Sequence, residues 1–225
     1  MIEDSLGIIN HQSEICVTRR MADRGRGKGE RTMRTLYRGR FILVASCLIG
    51  LFLGCSKGKS IQELSRQLEN SKANARRHAA NELRDRGPKA KDAVPALAKA
   101  LKDSDPKVRR KAAQTLRSMA GGAREATPAL IEALKDSDPK IRQIAAATLE
   151  RIGPEGREAA PGLTQALRDP VPQVRSEAAR ALGAIGSDAK EAVPALRTLL
   201  RDPNGRVREA AEGALRKIES LSRAT

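Results

Sequence analysis

Residues 101–119 read LKDSDPKVRRKAAQTLRSM, and residues 134–152, one interval of 33 later, read LKDSDPKIRQIAAATLERI. The same interval relates Pro95, Pro128, Pro161 and Pro194, and likewise Asp103, Asp136, Asp169 and Asp202. It carries Val108 to Ile141, Val174 and Val207, and Arg109 to Arg142, Arg175 and Arg208. Ala112, Ala145, Ala178 and Ala211 follow, then Leu116, Leu149, Leu182 and Leu215, then Met119, Ile152, Ile185 and Ile218. A fixed, gapless period of this length marks an array of small repeats. One interval earlier stand Gln62, Asn70, Ala75, Arg76, Ala79 and Leu83, so a degenerate first repeat starts near Ser60 and the count is five.

Within each unit the pattern predicts two helices. From Val94 to Lys102, Leu97, Ala98 and Leu101 fall on one stripe, and Pro95 suits the first turn, where its missing N–H costs nothing. Asp103-Ser104-Asp105-Pro106 breaks that helix, and Asp105-Pro106 starts the next as cap and first position. The second helix runs to about Met119, with Val108, Ala112, Leu116 and Met119 spaced four, four and three. Other repeats end it at Gly87, Gly153 or Gly186, where a left-handed stop is tolerated. The unit reads helix, turn, helix, loop. Neither helix hides its stripe alone, but stacked pairs bury it continuously. The expectation is an all-α, right-handed α-solenoid over 61–220, with repeats at about 61–92, 93–125, 126–158, 159–191 and 192–220.

Composition agrees with thin layers of helices. The aromatics Tyr37, Phe41 and Phe52 all precede Cys55, and Ala and Leu supply the apolar mass beyond it. Net charge is +16; from Cys55 onward 34 Lys and Arg stand against 22 Asp and Glu, leaving +12. Both signs are interspersed and read first as solvated helix faces. Of the cysteines Cys16, Cys47 and Cys55, none lies inside the repeats, which excludes a disulfide-stapled or zinc-bound solenoid. No metal and no cofactor is called for.

Residues 33–55, MRTLYRGRFILVASCLIGLFLGC, place Arg34, Arg38 and Arg40 before an apolar run from Phe41 to Gly54. That run is short for a membrane span, which needs about 20 residues, and suits a signal-peptide core. It ends at Leu53-Gly54-Cys55 and turns polar at Ser56-Lys57. The stretch resembles a bacterial lipoprotein signal over 33–54, which implies cleavage before Cys55, its acylation, and a tether over 55–60. Val44-Ala45-Ser46-Cys47 fits the local motif better, but too few apolar residues precede it. Phe52 departs from the Leu, Val or Ile that the family prefers there. The resemblance implies an exported lipoprotein on the periplasmic face of the inner or outer membrane. Residues 1–32, polar and rich in Gly and Arg, fit no signal and read as a non-native extension or as disordered, with translation starting at Met33 or Met21.

The two quoted 19-residue stretches resemble the HEAT-like repeats associated with phycobilisome lyase subunits, over about residues 60–220. The resemblance implies a ladder between neighbouring repeats in which Asp103, Asp136, Asp169 and Asp202 pair with Arg109, Arg142, Arg175 and Arg208. It also implies that second helices line the concave side, where partners dock. Residues expected to face outward there are Arg77, Lys107, Arg110, Lys111, Arg117, Lys140 and Arg180, concentrated in the first repeats, whereas the last offers Glu209 and Glu212. An acidic protein partner fits that groove.

The chemistry of catalysis is missing from the repeats. His78 is the one histidine after Cys55, without a cysteine beside it, and reads as a surface residue. Gly121-Gly122 and Gly153-Pro154-Glu155-Gly156 lack the strand that a phosphate loop follows. The expected function is a non-enzymatic scaffold or adaptor anchored through Cys55. Two alternatives stand beside it. One is a basic nucleic-acid binder similar to HEAT-like DNA glycosylases, against which the lack of stacking aromatics counts. The other is a phycobilin lyase-type subunit. Sequence assigns no oligomeric state.

Overall fold

Short and long helices alternate along the described residues, with seven residues before each turn and 13 to 20 after it. The computed structural model describes residues 58–224. Residues 1–32, the segment 33–54 and Cys55 lie outside the described residues. The first pair is α1 (Ile61–Gln67) and α2 (Ala73–Arg86). There follow α3 (Val94–Ala100) with α4 (Pro106–Ser118), and α5 (Thr127–Ala133) with α6 (Pro139–Ile152). Then come α7 (Ala160–Ala166) with α8 (Pro172–Ile185), and α9 (Val193–Leu199) with α10 (Gly205–Ala224). Among the described residues there is no strand, and no helix is long and apolar enough to cross a membrane. The architecture is an α-solenoid of five helix pairs.

The turn chemistry is as local as the sequence implies. The carboxylate of Asp105 accepts from the N–H of Lys107 at 2.7 Å, and that of Asp138 from Lys140 at 2.8 Å. Asn204 does the same for Arg206 at 3.0 Å. Val171 replaces the capping residue before α8, so Pro172 alone starts that helix. Gly87, Gly153 and Gly186 end α2, α6 and α8 at φ of 53°, 67° and 81°. Their ψ values near −135° lie outside the left-handed helical basin expected of them, in a region open to glycine alone.

The segments expected as loops are ordered. Gly87–Ala93, Ala120–Ala126, Gly153–Ala159 and Gly186–Ala192 are 3₁₀ helices. A 3₁₀ helix brings positions i and i+3 onto one side. Here these are Ala90 and Ala93, Ala123 and Ala126, Gly156 and Ala159, Ala189 and Ala192, all buried. Small residues at that spacing let the connector lie flat on the next helix.

The core is a ribbon of Leu, Ile, Val and Ala that runs through all five pairs. Leu83, Leu116, Leu149 and Leu182 are fully buried and each contributes about 1.5–3 kcal/mol by leaving water. Ala79-Ala80, Ala112-Ala113, Ala145-Ala146 and Ala178-Ala179 are fully buried as pairs, which lets successive long helices approach closely. The fifth repeat has Glu212, exposed, in the second place of that pair. The hydroxyl of Thr115 crosses the layer to the carbonyl of Ala80 at 2.8 Å.

The tightest approach is at Gly183 of α8. A Cβ there would stand 2.8 Å from Cα of Ala214 in α10. On an exposed helix Gly→Ala stabilises by about 1 kcal/mol. Gly183→Ala should instead lower the urea midpoint, and Gly183→Leu should cost about 1–3 kcal/mol or more. A higher midpoint for Gly183→Ala would contradict the backbone packing described.

Candidate interaction surface

The periodic acids and arginines account for one another. Arg109 Nε donates to Asp136 Oδ2 at 2.7 Å and its Nη2 to Oδ1 at 3.1 Å. Arg142 grips Asp169 at 2.7 and 3.0 Å, and Arg175 grips Asp202 at 2.8 and 3.0 Å. Each arginine therefore reaches the carboxylate of the following repeat rather than that of its own turn. With the carboxylate of its own repeat it makes no such pair; its Nη1 goes instead to that aspartate's main-chain carbonyl, as from Arg109 to Asp103 at 2.9 Å. Asp103 is taken by Arg76 of the first repeat at 2.6 and 2.8 Å. Arg76 was not among the residues expected in the ladder, although it stands in the Arg109 column. Arg208 keeps the carbonyl contacts, to Asp202 at 2.8 Å and Pro203 at 3.2 Å.

These pairs are nearly dry, with arginine side chains 13–16% and aspartates 6–9% exposed. Burial pushes the carboxyl of Asp136 up, but hydrogen bonds from Arg109 and from the N–H of Asp138 outweigh it and hold it below the usual range. Asp103 and Asp169 follow the same balance. At Asp202 the hydrogen bond from Arg175 is the leading influence, again downward. These four acids are committed to structure.

The face of the long helices is different. Lys107 and Arg117 are exposed and Lys111 is half-buried, and none of the three has a carboxylate within 4.0 Å among the described residues. Lys140 is exposed and donates to the neutral Gln143 at 2.9 Å. The other expected cations are engaged within the solenoid. Arg110 reaches across to Asp138, Nε to Oδ2 at 3.2 Å. Arg180 pairs with Glu177 one turn earlier and lies 3.8 Å from Glu150. Arg77 is half-buried and donates to Asn74.

Among the described residues, three buried polar atoms on this face have no partner: Nε of Arg77, Oδ1 of Asn81 and Oε1 of Gln114. Asn81 and Gln114 hold one repeat position on adjacent helices α2 and α4. Neither carries a charge, and their one signal in the sequence is a shared column, which becomes Ala147, Arg180 and Gly213 further on. Arg77 and Lys107 line a depression of about 540 Å³ between the first two turns, together with Ser71 and Ser104. A second, of about 790 Å³, lies over α6, α8 and α10 and is lined by Gln143, Gln173, Arg180 and Glu209. His78 is 69% exposed, its Nδ1 2.8 Å from Glu82 on the same helix. Among the described residues no group of three His, Cys, Asp or Glu is placed to hold a metal.

A family model of HEAT repeats matches residues 61–134 and 127–216. The chain belongs to the HEAT-repeat family. No curated protein matches it in sequence. Among solved structures it is similar to the complex of CpcE and CpcF of phycocyanin lyase from Nostoc sp. PCC7120, 30% identical over 74% of this chain and 68% of that one, TM-score 0.60. An engineered protein is 27% identical, over 71% of this chain and 79% of that one, TM-score 0.60. A designed armadillo repeat protein in complex with peptide (KR)4 is 21% identical, over 70% and 81%, TM-score 0.62, a likeness of fold alone. HEAT repeats of this kind form a solenoid suited to protein interaction.

Because its folded carboxyl is depressed, Asp136 contributes stability above the unfolded value near 4 and loses it as pH falls. Asp136→Asn should unfold about 1–3 kcal/mol more easily at pH 7. The gap to the parent chain should shrink between about pH 5 and pH 3. Urea midpoints at several pH values test this, and a gap constant with pH would refute it.

Proposed function

We propose that this chain is a non-enzymatic, membrane-anchored scaffold that holds an acidic segment of a protein partner on the long-helix face of its first three repeats. The observation that carries the reading is the contrast along that face. Among the described residues Lys107, Lys111 and Arg117 lack carboxylate partners and adjoin the unpartnered polar atoms of Arg77, Asn81 and Gln114. Unsatisfied buried polar atoms are costly, so this part of the face is less well satisfied than the ladder edge. The cations supply attraction for acidic side chains and speed encounter. In the third and fourth repeats the Arg117 and Lys111 columns hold Glu150 and Glu177, which engage Arg180, and in the fifth Arg206 and Arg216 share the face with Glu209 and Glu212, so the cations are least opposed in the amino-terminal half.

The anchor is the second part of the proposal. Acylation of Cys55, at the end of the apolar run 41–54, would fix the repeats to a bilayer, since two or more chains hold stably where one holds marginally. The likeness to the phycocyanin lyase complex keeps a lyase-subunit reading in view. That neighbour is itself a complex of two chains, so it too speaks for a protein partner.

A fluorescent octaglutamate peptide is the direct probe. The full chain should bind it, and Lys107→Glu, Lys111→Glu and Arg117→Glu together should weaken binding by about tenfold or more. Equal affinity of the two proteins would remove the assignment of this face. In cells fed labelled palmitate, label should appear in the membrane fraction and vanish with Cys55→Ser. An unlabelled parent chain would remove the anchor.

A further inference from the structure

We propose that the edge of the solenoid built from the helix–helix turns rests on an anionic lipid bilayer. Lys102, Lys135, Arg168 and Arg201 occupy one repeat position, just after the short helices end. Lys107, Lys140 and Arg206 open the long helices on the other side of the same turns. All seven are exposed, and among the described residues none has a carboxylate within 4.0 Å.

Glu69 holds this column in the first repeat and is paired with Lys99; the other acids of this edge do not cancel the row. Asp103, Asp136, Asp169 and Asp202 are turned inward to the arginine ladder. Asp105 and Asp138 accept from helix N–H groups, and Asp138 also from Arg110. The same register that buries the acids leaves the cations outside. The opposite edge is balanced: each 3₁₀ connector carries a cation followed by an acid, as Lys91-Asp92, Arg124-Glu125, Arg157-Glu158 and Lys190-Glu191. The molecule thus has one strongly basic edge and one near-neutral edge.

The shape of the charge selects the partner. Two parallel rows, stepped by the helix spacing of about 8–10 Å, cover a strip rather than a line. A strip of flexible lysines and arginines complements a planar anionic surface, where each adds attraction within a Debye length. Single-stranded nucleic acid would seek aromatic platforms, and residues 58–225 contain no Phe, Tyr or Trp. The inference rests on the reading that the chain works at a membrane, but it does not need the acyl group.

The test uses the full chain carrying Cys55→Ser, so that acylation plays no part. At low salt it should partition about tenfold or more better onto vesicles with about 30% phosphatidylglycerol than onto phosphatidylcholine alone, and lose this near 0.5 M NaCl. Replacing Lys102, Lys135, Arg168 and Arg201 by Gln should remove about fivefold or more of that preference. Replacing Lys89, Lys91, Arg124 and Arg157 on the other edge, the same change in net charge, should remove less than about twofold. Should the first quadruple variant melt, the pairs Lys102→Gln with Lys135→Gln, and Arg168→Gln with Arg201→Gln, should each show part of the loss. Equal losses from both edges, no preference for anionic vesicles, or displacement from them by single-stranded DNA would each overturn the proposal. A missing palmitate label would remove the anchor and leave this result standing on its own.

Discussion

Arg76, Arg109, Arg142 and Arg175 are each gripped from two sides, Nη1 by a carbonyl of their own turn and Nε and Nη2 by the carboxylate of the next. Apolar burial holds the repeats together but has no direction, and layers of alanine could slide past one another at little cost. A planar fork with two parallel hydrogen bonds does have direction. It fixes how each pair of helices is rotated and translated on the one before. Removing one partner leaves a nearly buried charge alone, which is far worse than removing both. The ladder therefore specifies register more than it adds stability.

That constraint sorts the surface. Columns that touch the next repeat are nearly uniform: Arg76, Arg109, Arg142 and Arg175 in one, Ala79, Ala112, Ala145 and Ala178 in another. Columns that look outward vary: Arg77, Arg110, Gln143, Ser176 and Glu209 in one, Asn81, Gln114, Ala147, Arg180 and Gly213 in another. Within a single chain the repeats serve as their own comparison. Uniform buried columns are answered by packing, the uniform basic column of Lys102, Lys135, Arg168 and Arg201 is exposed and is not, and varied columns are where the face differs from one repeat to the next.

The fold was legible because its signal is redundant; every element from Pro95 to Ile218 is stated four times. The ladder's residue types were legible for the same reason, but its pairing was not. A period of 33 relates Arg109 equally to Asp103 and to Asp136, and only the stacking of helices decides that the guanidinium points forward. The same limit hid the pairings of Arg110 with Asp138 and of Arg180 with Glu150, which are contacts between repeats. The 3₁₀ connectors left a trace, the Ala-x-x-Ala spacing of Ala90 and Ala93, which glycine and proline nearby obscured. Cys55 and the apolar segment before it rest on sequence alone.

The stacking rule also limits what kind of function the repeats support. Each unit meets only its neighbours, so residues distant in sequence do not converge from several directions around one reacting atom. His78 and Glu82 illustrate this: both lie on α2, four residues apart, with the imidazole largely in solvent. General acid–base catalysis needs groups whose environments push their proton affinities apart inside a site that excludes water. A strip of varied columns supplies instead a sequence of separate small contacts, each weak and each on a different helix. Such a strip gains affinity only from a partner long enough to touch several repeats at once. On the proposed scaffold reading the functional unit is the row of helices, not any residue in it.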